Sequence, residues 1–553
     1  MAASLAACSG SDAPDAAKAP RAADGLVVER LPTAPEASRF LTQATYGPTD
    51  ATISQLRASG YAKWLDQQMA LPSRSHLEET TQRIAQRKTN FNPQDFIYSY
   101  WDQAITAPDQ LRQRMKLALS EIFVISLVDS SIQAQGAASY YDMLGDDSFG
   151  NFRTLLEDVT LHPMMGIYLT WLGNQKEDPA TGRNPDENFA REIMQLMTIG
   201  LYHLNLDGTL KLDKAGQPIP TYSADDIGGL SRVLTGYSYY SPNPSRVTFR
   251  GGLRDTEAWT HAMIPYPTYH STGEKAFLGV VISASDTPDP QGDLKIALDT
   301  LFNHPNVGPF IGKQLIQRLV TSNPSPAYVG RVAAVFNDNG KGVRGDMAAV
   351  VRAILLDPEA RDEAIAQDPD FGKVREPIVR LANWARAFNA TSKSGQWLIP
   401  STSANTSLGQ APLMSPSVFN FYRPGYSPPG TRLSADGRVA PEFQIVDEVT
   451  VAGYLNTMQA TIAFGIGGAH DVKSDYATEL DLARDPGALA DRLNLLLLSG
   501  RMSSQLRRQI IEAVEDVRLP PNAAEPKATN ALRGRVWVGI YLTMASPEYL
   551  VQR

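Results

Sequence analysis

The sequence predicts a mainly α-helical fold, a large multi-helix assembly with long irregular, aromatic-rich loop segments in which a short β-hairpin can form. Two observations lead to this prediction. Apolar residues recur at spacings near 3.6 over most of the chain, as they do on the buried face of an α-helix. Between these stretches, Gly, Pro, Tyr and Thr dominate residues 202–293, a composition typical of loops and turns.

The chain is predicted to form one domain, residues 34–553, after a leader and disordered tether at residues 1–33. Five regions follow one another in this domain: a helical region 34–201, an irregular site-forming segment 202–293, a helical region 294–390, a segment rich in Pro, Ser and Gly 391–446, and a helical region 447–553. So long an irregular segment inside a compact chain is usually functional. We therefore expect residues 202–293 to contribute to a site.

Apolar periodicity and capping residues predict the individual helices. They lie within residues 96–128, 152–172, 188–201, 225–234, 294–319, 328–336, 347–356 and 377–388. Ser223 followed by Asp226 has the pattern of a capping box, which indicates a helix start. His162 and His304 each precede a proline, so both are expected at helix boundaries.

Composition excludes several classes of protein. The 51 basic and 59 acidic residues give a net charge of −8 without any basic block, so no nucleic-acid partner is expected. No window contains the ~18 consecutive apolar residues that cross a bilayer. The single cysteine, Cys8, excludes disulfides, thiolate zinc sites, iron–sulfur clusters and a cysteine nucleophile in the folded body.

The residues before Cys8 resemble a bacterial lipobox. The run LAAC ends at the cysteine that is lipidated in exported lipoproteins, and the residues after it form an Ala-, Pro-, Asp- and Ser-rich tether. This resemblance implies a periplasmic or outer-membrane-anchored protein, held at the membrane only by a lipid on Cys8. The alternative is a plain disordered terminus, because no Lys or Arg precedes Cys8.

The helix predicted from Pro185 onward combines a core-facing apolar stripe with four strongly polar groups: Glu187, Asn188, Arg191 and Glu192. In the functional interpretation, Glu192 is a general acid or base or a hard metal ligand. Asn188 then positions the substrate and Arg191 clamps an anion. In the structural interpretation, Glu187 and Arg191 form an ordinary i, i+4 pair, while Glu192 reaches a buried arginine such as Arg318 or Arg375.

Two histidines, His261 and His270, lie nine residues apart in the irregular segment, and aromatic residues flank them: Trp259, Tyr266 and Tyr269. Such a loop can bring imidazoles, aromatic rings and Lys275 to the rim of a pocket for a carbohydrate or small polar ligand. The alternative is a loop whose histidines only bind the backbone. No nucleotide cofactor is expected, because neither a dinucleotide fingerprint nor a phosphate-binding loop motif occurs.

Five motifs resemble those of the bacterial domain of unknown function 1800 family: RFLTQATYGP at 39–48, ENFARE at 187–192, LTGY at 234–237, HSTGEKAFLG at 270–279 and SPEY at 546–549. The resemblance implies an exported, mostly helical protein. It also implies a protein partner, a co-encoded exported protein of the domain of unknown function 1501 family. The chain departs from the family pattern at 119–123, where LSEIF replaces Trp-x-x-His-Phe, and at Ser271, where Asp is common. Both departures weaken a metal site.

The preferred functional hypothesis is an exported enzyme that hydrolyses a bond in an extracellular carbohydrate or related polar substrate. Its candidate catalytic residues are Glu192 as general acid or base, Glu187 or Asp225 as the partner carboxylate, and His270 and Lys275 as stabilisers of negative charge. Its candidate substrate-binding residues are Asn188, Arg191, Tyr237, Trp259, His261 and Tyr269.

Two other functions remain open from the sequence. The first is an oxidoreductase that uses a metal ion held by His and carboxylates, or a quinone cofactor made from the chain's own Tyr or Trp, with His261 and His270 at its centre. The second is a non-catalytic binding or assembly factor that works with a second exported protein. Neither the cofactor nor the metal is assigned from the sequence.

Overall fold

Helices carry most of the chain in the computed structural model, which describes residues 30–87, 92–252, 257–520 and 526–553. These ranges contain 26 α-helices, and their strands occur only as two-stranded pairs. The mainly α-helical prediction is therefore confirmed. Cys8 and most of the predicted tether lie outside the described residues. No helix within these ranges is both long enough and apolar enough to span a membrane.

The helices occur in three groups along the chain. The first group is α1 (Ala34–Ala44), α2 (Asp50–Ser59), α3 (Tyr61–Ala70), α4 (His76–Arg87), α5 (Gln94–Thr106), α6 (Gln110–Ser120), α7 (Ala134–Asp146), α8 (Phe152–Leu161), α9 (Pro163–Tyr168) and α10 (Asn188–Gln195). The second is α11 (Ala224–Val233), α12 (Arg246–Phe249), α13 (Pro290–Asn303), α14 (Val307–Leu319), α15 (Pro326–Asn337), α16 (Met347–Leu356), α17 (Pro358–Arg361), α18 (Glu363–Gln367) and α19 (Pro377–Ala387). The third is α20 (Arg432–Ala435), α21 (Glu448–Phe464), α22 (Ala477–Leu482), α23 (Pro486–Leu498), α24 (Ser504–Asp516), α25 (Pro526–Ala545) and α26 (Pro547–Leu550).

The short strands form four antiparallel pairs: β1 (Tyr237–Ser238) with β2 (Ile264–Pro265), β3 (Lys275–Phe277) with β4 (Val280–Ile282), β5 (Lys373–Val374) with β8 (Val551–Gln552), and β6 (Thr391–Ser392) with β7 (Val472–Lys473). The pair β3–β4 is the short hairpin that the sequence allows. Leu278 and Gly279 form its two-residue turn with φ values of 47° and 79°, the positive angles that tight hairpins require.

Prolines divide two of the predicted helices. The helix predicted over 152–172 is interrupted at His162, which ends α8 and caps α9, and the helix predicted over 294–319 ends at Asn303 and restarts at Val307. Each break falls beside a proline, which has no N–H to donate and disfavours helical backbone in the preceding residue. The prediction that His162 and His304 mark helix boundaries is confirmed.

Helix α10 starts at Asn188, as the periodicity over 188–201 predicts and three residues after the start that Pro185 indicates, and it ends at Gln195, so it is shorter than predicted. The Asp186 side chain accepts a hydrogen bond from the Asn188 N–H at 2.8 Å. This local turn competes with a helical conformation and delays the helix start. The capping box predicted at Ser223 and Asp226 is present at the start of α11.

One cluster of buried apolar side chains draws members from α1 through to α26, and four tryptophans are almost fully enclosed: Trp64, Trp101, Trp171 and Trp384. Helix α11 packs against both α10 and strand β3. Helix α11 therefore lies in contact with both the polar helix α10 and the strand that carries Lys275.

Candidate functional site

Three of the four polar groups predicted on α10 face solvent. Glu187 and Arg191 are about half exposed, and their charged atoms lie 3.7 Å apart in the expected i, i+4 arrangement. Asn188 is exposed, and its Nδ2 lies 3.4 Å from Thr170 Oγ1. The ion pair between Glu187 and Arg191 contributes little to stability, because both side chains are about half exposed. The roles predicted for these residues stay predictions.

Glu192 is the buried member of this set, with 7% of its surface exposed. It forms no ion pair with Arg318, Arg375 or any other cation among the described residues, and its Oε2 atom has no hydrogen-bond partner there. Burial raises the pKa of Glu192, while Arg191 acts in the opposite direction. A buried carboxyl without a partner is costly in a purely structural role, which favours the functional interpretation of this residue.

His270 and Lys275 meet at a residue that the sequence did not indicate, Asp293 in the first turn of α13. Asp293 Oδ2 lies 2.9 Å from His270 Nε2 and 2.9 Å from Lys275 Nζ, and all three residues are buried. His270 Nδ1 lies 2.8 Å from the Thr235 carbonyl oxygen. Although burial disfavours the carboxylate, hydrogen bonds from His270 and Lys275 lower the pKa of Asp293. This network holds β3, α11 and α13 together.

The remaining predicted residues are dispersed over the irregular segment. Asp225 is exposed in the first turn of α11, and His261 is exposed with its ring 4.9 Å from that of Tyr240. The other three make aromatic or buried contacts: Trp259 against Tyr239 at 5.6 Å, Tyr269 stacked on Phe249 at 3.7 Å, and Tyr237 donating its hydroxyl to the Pro290 carbonyl oxygen at 2.9 Å. Within the described ranges, no group of three His, Cys, Asp or Glu side chains could hold a metal ion.

A cavity of about 280 Å³ lies where α6, α10, α14 and the loop at 418–424 meet. Its wall is largely apolar, with a small set of polar and aromatic groups: Glu121, Gln195, Phe310, Gln314, Arg318 and Phe419. Glu192 precedes Gln195 by three residues, so both side chains project from the same face of α10. The Tyr222 hydroxyl donates to Gln195 Oε1 at 3.2 Å, and the pKa of Tyr222 is raised by burial and by the charge of Glu192. Glu192 therefore lies one helical turn before Gln195, and of these two residues Gln195 is the one that lines the cavity.

Glu121 is the carboxyl group of this wall. It follows the last residue of α6 and is 5% exposed, with Oε2 3.4 Å from Arg318 Nε. The Tyr422 hydroxyl donates to the same oxygen at 3.1 Å. Arg318 is anchored independently, because its Nη2 donates to the Glu121 backbone carbonyl oxygen at 2.8 Å. In the part of the chain that the structure describes, Gln314 Nε2 is buried without a hydrogen-bond partner.

Glu121 is electrostatically coupled to a second buried glutamate, Glu376. The Oε1 atoms of both residues are buried, and neither atom has a hydrogen-bond partner among the described residues. Burial and the neighbouring Glu376 raise the pKa of Glu121 well above its ordinary value. Burial also opposes the charge of Glu376, but Lys373 and the hydrogen bond from Glu121 lower its pKa to about 2. The two directions favour a neutral Glu121 beside a charged Glu376.

Two cations, Lys373 and Arg114, lie close to Glu376 and favour its charged form. Lys373 Nζ lies 3.6 Å from Glu376 Oε1 and 3.1 Å from Glu442 Oε1, and Arg114 Nη2 lies 3.9 Å from Glu376 Oε1. All of these side chains are buried. Because the positive charges surround Glu376, the proton stays on Glu121, the member that reaches the cavity.

The sequence analysis did not identify Glu121, Arg318 or Glu376 as site residues. One local signal was available: Glu121 is an acidic residue at the C-terminal end of α6, directly before the apolar run 122–125. A negative charge is unfavourable at a helix C-terminus and in apolar surroundings, so a glutamate at this position indicates a functional residue.

A family model described as a protein of unknown function (DUF1800) matches residues 39–551. The match covers almost the whole chain and confirms the resemblance drawn from the sequence motifs. No curated protein and no solved structure matches the chain.

Proposed function

The chain belongs to the DUF1800 family, and we propose that it is an exported enzyme that hydrolyses a bond in an extracellular carbohydrate or related polar substrate. The observation that carries the proposal is Glu121, a buried carboxyl group on the wall of a cavity, where burial and the neighbouring Glu376 raise its pKa. Perturbed carboxyl groups in clefts are characteristic of acid–base catalysts. A periplasmic or outer-membrane location belongs to the same proposal and is supported by the lipobox-like residues before Cys8.

In this reaction, Glu121 donates its proton to the oxygen of the leaving group while the bond from that oxygen to carbon breaks. Glu192 accepts a proton from the attacking water, whose oxygen forms the new bond to the same carbon. The cycle closes when the proton on Glu192 passes through water to Glu121, whose neutral form is favoured by burial and by Glu376. The cavity residues Gln314 and Arg318 supply hydrogen-bond donors to the substrate.

The shape and lining of the cavity support a substrate the size of one or a few polar rings. Its volume of about 280 Å³ is near the lower end of the range for small-molecule sites. Phe310 and Phe419 offer ring faces, and Arg423 lies at its exposed edge. Apolar ring faces combined with a few hydrogen-bonding groups suit a sugar, which has both apolar and polar surfaces.

The proposal is tested by incubating the full chain with a panel of polysaccharides and oligosaccharides and measuring the release of reducing ends. Glu121→Gln keeps the size of the side chain and removes the acid, so we expect its rate to fall roughly a hundredfold or more. Glu187→Gln is the matched control, because the mechanism gives the second carboxylate role to Glu192 and not to Glu187, which is half exposed and does not line the cavity. Equal rates for wild type and Glu121→Gln would overturn the proposed role.

A second candidate function, binding to another exported protein, is favoured by one surface feature. Large apolar side chains are about half exposed on the loop that continues from the cavity edge: Leu201, Tyr202, Leu206, Leu210 and Leu212. Exposed apolar side chains in one segment mark protein contact sites. This function predicts that Leu210→Glu with Leu212→Glu abolishes capture of the co-encoded partner, whereas Glu121→Gln leaves capture intact.

A further inference from the structure

A second cavity, of about 230 Å³, lies between α19, α21 and the C-terminal segment 545–551. Its wall is almost entirely apolar, with Leu408, Val446, Leu455, Leu550 and Val551 among its members. The one charged side chain that the described residues contribute to this wall is Arg380.

Arg380 is a buried cation with 5% of its surface exposed. Its Nε donates to the Arg375 carbonyl oxygen at 2.7 Å, and its guanidinium lies 4.7 Å from the centre of the Tyr454 ring. Among the described residues it forms no ion pair, and its two Nη atoms make no hydrogen bond. Burial lowers the pKa of Arg380, while Tyr454, Tyr549 and the more distant carboxyls of Glu376 and Glu442 act in the opposite direction. Because no described carboxylate lies within ion-pair distance of Arg380, an anion that enters this cavity gains a strong partner.

The mouth of the cavity is also apolar. Phe443 is 38% exposed and Val451 is 42% exposed, and both belong to the wall. A ligand that covers these side chains removes apolar surface from water and gains free energy roughly in proportion to the area buried. The cavity thus combines an apolar wall and mouth with one guanidinium.

We propose that this cavity binds an aliphatic monocarboxylate, with the carboxylate on Arg380 and the alkyl chain along the apolar wall. The two free Nη atoms of a guanidinium match the two oxygens of a carboxylate in a bidentate arrangement. A more highly charged anion such as phosphate would have to lose more hydration in a cavity that supplies only one cation. This inference does not depend on the proposed hydrolase, because neither Glu121 nor Glu192 lines this cavity.

Calorimetric titration of the full chain with three ten-carbon probes tests the assignment: decanoate, decan-1-ol and decyltrimethylammonium. We expect decanoate to bind at least tenfold more tightly than the alcohol, and the cation not to bind. Equal affinity for decanoate and the alcohol would overturn the role of Arg380. Absence of decanoate binding would overturn the site itself.

Two variants locate the binding. Arg380→Met should weaken decanoate binding at least tenfold while leaving binding of the alcohol unchanged. Because Arg380 is buried and this variant can fail to fold, Val451→Trp provides an independent test by filling the mouth at an exposed position. Val281→Trp, at a valine that is 61% exposed and outside the cavity wall, is the control. Decanoate binding that survives Val451→Trp would contradict the proposed location.

Discussion

At the scale of single residues, Glu121 gives a direct spectroscopic prediction. Burial and the nearby Glu376 both disfavour its charged form, so Glu121 should remain protonated at neutral pH. The infrared difference spectrum between wild type and Glu121→Gln should contain one protonated carboxyl band. The same difference taken with Glu187→Gln should lack it, because Glu187 is half exposed. A flat spectrum for Glu121→Gln would mean that the proton resides elsewhere.

His162 predicts a loss of stability in acid. It is buried as the cap of α9, and burial lowers its pKa from 6.5 to about 3. A histidine with a depressed pKa contributes stability that is present above 6.5 and is lost as the pH falls toward the folded value. We expect the free energy of unfolding of the wild type, relative to His162→Asn, to fall by roughly 2–3 kcal/mol between neutral pH and about pH 4.5.

Urea unfolding of both proteins at the two pH values measures this difference. His162→Asn is a suitable reference because asparagine also caps helix N-termini but does not titrate. Parallel pH dependence of the two proteins would show that His162 is not the group responsible.

At the scale of elements, the contact between α11 and β3 depends on one glycine. A Cβ atom at Gly229 would lie 1.7 Å from the Ala276 carbonyl oxygen, whereas one at the adjacent Gly228 would lie 3.8 Å from its nearest neighbour, Glu187 Oε1. We expect Gly229→Ala to destabilise the protein by about 2–3 kcal/mol through overpacking. Gly228→Ala should be neutral or stabilising by up to ~1 kcal/mol, because alanine is the better helix former.

Thermal and urea unfolding measure the stability of the two variants. Both carry the same Gly-to-Ala change in helix α11, so only the position of the change differs. Similar stability of Gly229→Ala and Gly228→Ala would contradict the close packing of β3 on α11.

The buried network around Asp293 predicts a much larger effect than a surface pair of the same charge. Asp293→Ala leaves His270 and Lys275 buried without their shared acceptor, and we expect a cost of about 3–5 kcal/mol in the free energy of unfolding. The control is Lys295→Ala, which breaks an exposed i, i+4 pair with Asp299 on the same helix and should cost under about 1 kcal/mol. Comparable losses for the two variants would argue against the network as a structural joint.

Elements with strong local signals could be predicted from the sequence. The capping box at Ser223 and the helix breaks at His162 and His304 were predicted because caps and prolines act within a few residues. The start of α10 that the preceding proline indicates is three residues early, because the Asp186 side chain holds the Asn188 N–H in a turn.

At the scale of the whole molecule, the candidate site depends on contacts that no local pattern contains. Glu121, Gln195, Arg318 and Phe419 come from four separate parts of the chain, and they line one cavity only because α6, α10, α14 and a loop of the Pro- and Ser-rich segment converge. Apolar periodicity identifies which face of a helix is buried but not which helix covers it. Glu192 was therefore identified as a candidate, whereas Glu121 and its partner Glu376 were not.

The most direct test of the proposed hydrolase is the release of reducing ends from the polysaccharide panel by wild type, Glu121→Gln and Glu187→Gln, measured in parallel. We expect wild type and Glu187→Gln to hydrolyse the same panel member, and Glu121→Gln to lose this activity while remaining folded. Hydrolysis by Glu121→Gln at the wild-type rate, or no product from any member of the panel, would contradict the proposal.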